Sequence, residues 1–305
     1  MGFLNFHGHN SVSFNGHDKP AIPVSLSQYI MHYLYGANEP LILKSTDKIL
    51  DVGEFGEGEA QEKSLQKFKA MSANPALQFL PHGIVMSRNA AKNVLDFVYY
   101  VEGATNGARL AVGPCICQRA LEKYPNGLTE PEIKDITLFY SADIYLDLGI
   151  GFKEITNDEA KDILDEMHNR GYLHNAMYMF QKTNALFVMC NCDANICAVQ
   201  RGARLTDNTD AKGPEICVRD ASKCKGVKEC GKCIDRCFFG ANKADGDEVI
   251  FDQNKCKGCE LCVTTCTGKA RELTIRDDYE YEDLMSKTLL LAGKYGYERM
   301  VPYER

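Results

Sequence analysis

The sequence predicts an α+β protein, with an α/β part in which buried strands lead into Cys-x-Cys loops and a smaller cysteine-rich part after it. Three observations support this prediction. Two short apolar runs each end at cysteines, capped amphipathic segments alternate with them, and a cysteine pattern is repeated near the C-terminus. A chain of 305 residues is also close to the length at which one core divides into two domains.

Helix signals recur through the first two thirds of the chain. The first helix follows Pro23, with Ser25 or Ser27 as its cap, and Gly36 is expected to end it. Two more helices are expected over residues 59–71 and 87–103.

The clearest helix signal lies in the segment NDEAKDILDEMHNRG. Thr156 or Asn157 is its predicted cap, acidic residues fill its first turns, and Gly171 is its predicted end. Its apolar face is formed by Ile163, Leu164 and Met167.

Two buried strands are predicted beside cysteines. Residues 108–113 (ARLAVG) lead to Cys115, and residues 185–190 (ALFVMC) end at Cys190. Residues 136–140 (ITLFY) are also strand-like. If the two cysteine-linked strands are parallel neighbours, their thiols emerge at one edge of the sheet.

Charge and composition exclude several classes of function. The net charge is -7 and there is no run of Lys or Arg, so the electrostatic signature of nucleic-acid binding is absent. No leader-like start and no apolar run of about 18 residues occur, which predicts a cytoplasmic protein without membrane insertion. Fourteen cysteines without an export signal favour metal ligation over disulfides.

The predicted organisation has four parts. Residues 1–20 form an irregular arm, 21–212 an α/β domain, 213–276 a cysteine-rich domain, and 277–305 an acidic turn with a helix near 284–291. The arm carries His7, His9 and His17, which are either metal ligands or, as we expect, ordinary polar surface residues.

The cysteine-rich part is an internal repeat. The segment from Glu215 superposes on the segment from Glu248 with one three-residue insertion. The superposition pairs eight cysteines, and it places Cys217 opposite Ile250, where we expect a small buried apolar role for it. The pairs are Cys224 with Cys256, Cys230 with Cys259, Cys233 with Cys262, and Cys237 with Cys266.

The second copy has the spacing C-x2-C-x2-C-x3-C, which is typical of bacterial ferredoxins, in which the fourth cysteine ligates the other cluster. Small residues such as Gly258 let such a loop fold tightly, and the fourth cysteine is expected to begin a helix. The repeat therefore resembles the two-cluster ferredoxin domain. The resemblance implies two 4Fe-4S clusters, with these ligands: Cys224, Cys230, Cys233 and Cys266 for cluster one, and Cys256, Cys259, Cys262 and Cys237 for cluster two.

The repeat departs from that family in two features. Five residues separate Cys224 from Cys230, and the proline that usually follows each fourth cysteine is Phe238 in one copy and Thr267 in the other. These changes affect the expected reduction potentials, and they remove no ligand. A structural zinc site is the alternative, although zinc ribbons use two separated cysteine pairs.

The other five cysteines form a second group. The stretches CICQR, NDEAKDILDEMHNRGYLH and CNCDANIC resemble a group of 4Fe-4S binding proteins that carry such segments ahead of a ferredoxin domain, with Gln118 in place of an arginine. A third iron–sulfur or metal site, a redox-sensing thiol group and simple buried cysteines all remain open. The five are Cys115, Cys117, Cys190, Cys192 and Cys197.

The sequence favours an electron-transfer protein or subunit that relays single electrons between redox partners in a hetero-complex, as a redox subunit of an oxidoreductase would. The alternatives are an oxidoreductase with its own substrate site at the five cysteines, and a metal-stapled scaffold. No nucleotide-binding or nucleophile motif occurs. His82, His168 and His174 are expected to be structural, and the acidic run 277–283 to be a solvated surface.

Overall fold

The computed structural model describes residues 5–7, 11–13, 26–73, 81–103, 110–123, 133–179, 185–277 and 279. These residues form helices and a mixed sheet, in agreement with the predicted α+β class. None of the helices in these ranges is long and apolar enough to cross a membrane.

A seven-stranded sheet forms the centre of the first part, in the order β6-β4-β5-β8-β7-β3-β9. Every neighbouring pair is antiparallel except β3 and β9. The strands are β3 (His82–Met86), β4 (Leu110–Pro114), β5 (Ile133–Leu138), β6 (Lys153–Ile155), β7 (Leu173–Met179), β8 (Ala185–Cys192) and β9 (Asp210–Ala211).

The strands predicted beside the cysteines are present. All five residues of β4 are buried, which explains its uninterrupted apolar sequence. The strand expected over 136–140 instead covers Ile133–Leu138, because Phe139 adopts a φ of 56° and the chain enters a helix at Tyr140. The predicted irregular arm contains two paired strands, β1 (Asn5–His7) and β2 (Ser11–Ser13), in which Phe6 lies opposite Val12.

Seven helices precede the repeat within the described ranges. They are α1 (Leu26–Phe55), α2 (Gly58–Ala73), α3 (Arg88–Gly103), α4 (Ile116–Leu121), α5 (Tyr140–Asp147), α6 (Asn157–Arg170) and α7 (Ala198–Thr206). Helix α6 has the predicted ends. Thr156 and Glu159 form a reciprocal capping box at its start, and Gly171 has a φ of 93° at its end.

The predicted end of the first helix at Gly36 is wrong, because α1 continues to Phe55. Gly36 lies against α5, where an added Cβ would be 2.9 Å from Leu148 Cδ1. Its glycine therefore serves close helix packing rather than a helix end.

The repeat region forms two separate strand pairs. Strand β10 (Glu215–Arg219) pairs with β13 (Arg271–Ile275), and β11 (Asn242–Asp245) pairs with β12 (Glu248–Phe251). Three one-turn helices, α8 (Gly226–Glu229), α9 (Lys232–Asp235) and α10 (Leu261–Thr264), lie between the strands. The helix predicted near 284–291 lies outside the described residues.

Asp210, at the end of the central sheet, gives the first testable prediction. Burial raises the pKa of this carboxyl from 3.8 to about 7, while Asn175 donates a hydrogen bond of 3.0 Å to its Oδ1. Between about pH 4 and pH 7 the folded protein keeps a proton on Asp210 that the unfolded chain releases. The stabilising contribution of this proton is therefore lost as the pH rises from about 4 to 7. Asp210→Asn removes this loss.

We compare the free energy of unfolding of Asp210→Asn with that of the unmodified protein. The difference, variant minus unmodified, should be about 2 to 3 kcal/mol larger at pH 8 than at pH 5. Urea unfolding at the two pH values measures it. The exposed Asp162 offers a control in Asp162→Asn, for which the difference should be nearly constant. An equal pH dependence in both variants would contradict the assignment.

Candidate metal centres

The two copies of the repeat have matching backbone geometry around their second and third cysteines. Gly231 follows Cys230 with φ 62° and ψ -10°, and Glu260 follows Cys259 with φ 68° and ψ -16°. Each of these left-handed residues precedes a one-turn helix that carries the third cysteine. The sequence repeat is therefore also a repeat of local structure.

The fourth cysteines match as well. The N–H of Ala241 donates to Cys237 Sγ and the N–H of Ala270 donates to Cys266 Sγ, both at 3.2 Å. A helix expected after each fourth cysteine is not formed. Positive φ values at Gly240 (64°) and Lys269 (49°) turn the chain into β11 and β13 instead.

The fourth cysteine of the second copy lies beside the first loop. Cys230 Sγ is 3.4 Å from Thr267 Oγ1, the residue after Cys266. Gly268 lies against the same loop, because an added Cβ would be 2.5 Å from the carbonyl oxygen of Lys223. These contacts place the segment after Cys266 against the first loop.

Cys237 in turn lies near the second loop. Burial raises the pKa of Cys259 to about 12, and the nearby thiols of Cys237 and Cys256 contribute to the increase. The loop closes tightly at Gly258, where φ is 84° and an added Cβ would be 2.3 Å from the carbonyl oxygen of Glu215. The glycine is required there for both reasons.

Cys217 lies between the two ligand sets without belonging to either. It is buried, with its Sγ 3.6 Å from Cys262 Sγ and 3.4 Å from a guanidinium nitrogen of Arg271. Hydrogen bonds from Cys262 and Arg271 lower the pKa of this thiol to about 6. The buried position expected for Cys217 is confirmed, and its sulfur also makes polar contacts with Cys262 and Arg271.

The donor geometry bears on the kind of metal. Within the described ranges, no three His, Cys, Asp or Glu side chains converge closely enough to hold a single metal ion. Tetrahedral zinc needs four sulfurs at about 2.3 Å from one point. A cubane takes one sulfur per iron and therefore spreads its ligands more widely.

The structure brings the other five cysteines together. Strands β4 and β8 run in the same direction, because both are antiparallel to β5, but β5 separates them and they are not neighbours. Both strands end at the same edge of the sheet. Cys115 and Cys117 lie at the start of α4, Cys190 and Cys192 end β8, and Cys197 precedes α7.

We call this group the five-thiol pocket. All five cysteines line a cavity of ≈ 30 Å³, together with apolar side chains such as Met177, Phe187 and Val199. Each thiol is hydrogen-bonded to the next along a row. The order of the row is Cys115, Cys117, Cys197, Cys192 and Cys190.

Two buried carboxyl groups adjoin the pocket. Burial raises the pKa of Glu39 to about 7, and the hydroxyl groups of Tyr145 and Tyr35 donate hydrogen bonds of 2.7 and 3.2 Å to it. Burial also raises the pKa of Asp135 to about 6, and this side chain is hydrogen-bonded to Cys115. The pocket therefore concentrates acidic groups in an apolar environment.

One apolar layer connects the five-thiol pocket with the repeat. Phe238 and Cys259 of the repeat pack in the same cluster as Phe187 and Val199 of the pocket, and Leu261 is buried within it. Cys117, Cys190, Cys192 and Cys197 belong to this layer too. Cys259 is one of the predicted cluster-two ligands, so the two groups of cysteines share a buried contact region.

The histidines have structural partners. His82 Nε2 is 3.0 Å from the carbonyl oxygen of Ser72. His168 Nε2 lies 2.6 Å from Thr264 Oγ1, and its Nδ1 lies 3.3 Å from His174 Nε2. His174 continues to Asn191 at 2.7 Å, and burial lowers the pKa of His174 to about 3. The side chains of His7, His9 and His17 lie outside the described part.

Sequence reasoning missed several groups at these sites. Glu39 is distant in sequence from every cysteine, and Asp135 lies in a strand without a motif. Arg271, which donates to Cys217, and Glu260, which accepts a 3.0 Å hydrogen bond from the Arg88 N–H, carry no sequence signal either. The contacts of these side chains become visible only in the folded structure.

Comparisons with known proteins add no relative to these observations. No protein-family model, no curated protein and no solved structure matches this chain.

Proposed function

We propose that the protein is an iron–sulfur electron-transfer protein or subunit, in which residues 213–276 form a two-cluster ferredoxin domain. The cluster-one ligands would be Cys224, Cys230, Cys233 and Cys266, and the cluster-two ligands Cys256, Cys259, Cys262 and Cys237. When bound, 4Fe-4S clusters accept and release single electrons.

The observation that supports this proposal, including an exchange of the fourth cysteines between the two copies, is that the segment of each fourth cysteine lies beside the loop of the other copy. Thr267, next to Cys266, lies 3.4 Å from Cys230 Sγ of the first copy, and Phe238, next to Cys237, packs in the same apolar cluster as Cys259 of the second copy. Such an exchange gives each ligand set three cysteines from one loop and one from the other. It also fixes the two sets close together.

The chain's own groups suit anionic centres at these positions. The N–H groups of Ala241 and Ala270 point at the fourth sulfurs, and Arg271 lies beside Cys217, next to Cys262. Hydrogen bonds and positive charge near sulfur raise the reduction potential of such clusters. Phe238 and Thr267 stand where ferredoxins usually have proline, and both fourth cysteines are still present beside them.

Electron transfer needs partners, and we propose redox proteins assembled with this chain in a hetero-complex. Helix α1 exposes apolar side chains that a partner subunit would cover, among them Leu34, Leu41 and Phe55, which are 51%, 65% and 75% exposed. An open groove of ≈ 860 Å³ on the repeat, lined by Arg219, Ile250 and others, gives a soluble carrier access near the ligand sets.

The second candidate function is an oxidoreductase with a substrate site at the five-thiol pocket. The carboxyl groups of Glu39 and Asp135 lie beside the thiols of the pocket. This favours the oxidoreductase, because the carboxyl groups would supply acid–base catalysis next to a bound metal. Burial of Cys115, Cys192 and Cys197 favours the relay instead, because a substrate needs a path from solvent.

The proposed function is tested on the full chain, purified or reconstituted without oxygen. We expect at least about eight iron and eight sulfide per chain, and reducible paramagnetic signals from two interacting centres after dithionite treatment. Electron paramagnetic resonance and metal analysis measure both. Colourless protein that contains zinc, or no metal after reconstitution, would overturn the proposal.

A further inference from the structure

The five-thiol pocket is the feature that the two-cluster function does not use. Fourteen cysteines occur in the chain, and eight ligands with Cys217 account for nine of them. The other five come from three separate segments, yet all line one cavity. Simple burial of scattered cysteines does not require this convergence.

The chain builds the pocket with two structural devices. The parallel directions of β4 and β8 bring Pro114 and Cys192 to the same edge of the sheet. The turn after β8 then returns Cys197 toward the pair, held by its N–H bond of 2.9 Å to the carbonyl oxygen of Asp193. The result is two Cys-x-Cys segments that face each other, with a fifth thiol between them.

The order of thiol contacts distinguishes the ligand that the pocket fits. Cys117, Cys192 and Cys197 each contact two other thiols, whereas Cys115 and Cys190 are the ends of the row. An iron–sulfur cluster takes about one protein sulfur per iron, so a row of several sulfurs matches several irons. The interior cysteines are therefore the expected ligands, completed by one of the two ends.

Surroundings and location also favour a metal centre. Five sulfurs lie together in a largely apolar site, and thiolate sulfur is the donor that iron–sulfur clusters take from proteins. Cys259 and Phe238 bring the proposed cluster-two ligands into the same apolar layer. A centre in the pocket would exchange electrons with that neighbour through packed side chains.

We propose that the five-thiol pocket holds a third iron–sulfur cluster, bound through Cys117, Cys192, Cys197 and one end cysteine, Cys115 or Cys190. Each ligating thiol releases its proton on binding and exchanges its contact with another thiol for a bond to iron. A cluster held there would accept one electron from the cluster-two side and release one electron in turn, which would extend the relay. The transfer of electrons from cluster two to the pocket rests on the proposed function, whereas the binding of a cluster in the pocket does not.

The test compares the full chain with Cys192→Ala/Cys197→Ala after reconstitution with ferrous iron and sulfide without oxygen. We expect about twelve iron and twelve sulfide for the unmodified chain and about eight of each for the double variant. Val199→Ala is the matched control, because it also truncates a side chain of the pocket but removes no donor. It should retain about twelve.

The outcomes separate this inference from the proposed function. About eight iron in both the unmodified chain and the double variant would overturn the third cluster and leave the repeat intact. About four in the unmodified chain and none in the double variant would support the pocket and overturn the two-cluster domain. Equal iron loss in Val199→Ala, or zinc in the pocket in place of iron, would count against the third cluster. The signals of the repeat report whether the double variant is folded.

Discussion

Arg201→Met is expected to lower the unfolding free energy of the protein by about 3 to 5 kcal/mol. The side chain of Arg201 in α7 is 3% exposed, and its guanidinium contacts three acidic residues of α1. The shortest nitrogen–oxygen distances are 2.6 Å to Asp47, 2.7 Å to Asp51 and 2.9 Å to Glu54. Methionine fills similar space but leaves these carboxylates without their central cation.

The size of the loss depends on Asp47, whose side chain is only 12% exposed. A buried carboxylate without a partner is costly, but Lys123 Nζ stays 2.8 Å from Asp47 and offsets part of the cost. We therefore expect a value toward the lower end of the range. Lys123 is itself 40% exposed and does not reach the position of Arg201.

Urea unfolding of the metal-free chain measures this effect. The control is Lys63→Met, which breaks the ion pair with Glu59 on the neighbouring helix α2, where both side chains are at least 70% exposed. Exposed pairs contribute about 0 to 1 kcal/mol, so the control should change little. A loss below about 1 kcal/mol for Arg201→Met would show that Arg201 does not hold α7 on α1.

The helices show which parts of the fold could be predicted from sequence. Helix α6 was predicted with its correct ends because its signals are local: Thr156 and Glu159 cap each other, and Gly171 adopts the left-handed conformation. The end of helix α1 was not predicted correctly, because Gly36 packs against Leu148, a residue more than a hundred positions away, and does not end the helix. Local signals were reliable where the chain contacts itself nearby.

The same distinction holds for the candidate sites. The spacing of the repeat predicts that three sulfurs of each loop lie near one another, and the ligand sets proposed from it rest on the resemblance to ferredoxin domains. The five-thiol pocket followed only in part. The sequence predicted the two strands that lead to the cysteines, but their shared direction was only a condition of the hypothesis. The position of β5 between them, which brings Asp135 to the pocket, depends on strand order. Nothing in a single sequence specifies that order.

Cys266→Ala is expected to abolish one cluster, with a loss of about four iron and four sulfide per chain. Alanine removes the sulfur without offering an oxygen ligand in its place. If the fourth cysteines are exchanged, the cluster lost is the one held by Cys224, Cys230 and Cys233. The N–H of Ala270 then also loses its sulfur acceptor, 3.2 Å away.

Double variants decide whether the exchange occurs. With exchange, Cys266→Ala/Cys230→Ala affects one ligand set and should lose no more iron than Cys266→Ala alone, whereas Cys266→Ala/Cys259→Ala affects both sets and should lose about eight. Without exchange, the two double variants would give the opposite results. Iron and sulfide analysis of oxygen-free preparations measures the difference.

Cys217→Ala is the control for these variants. It removes a buried sulfur from the same region, 3.6 Å from Cys262 Sγ, but Cys217 belongs to neither ligand set. We expect full iron content and a changed reduction potential, because Arg271 loses the sulfur that it contacts at 3.4 Å. Loss of about four iron in Cys217→Ala would mean that this thiol is a ligand, and the assignment of the eight ligands would then be wrong.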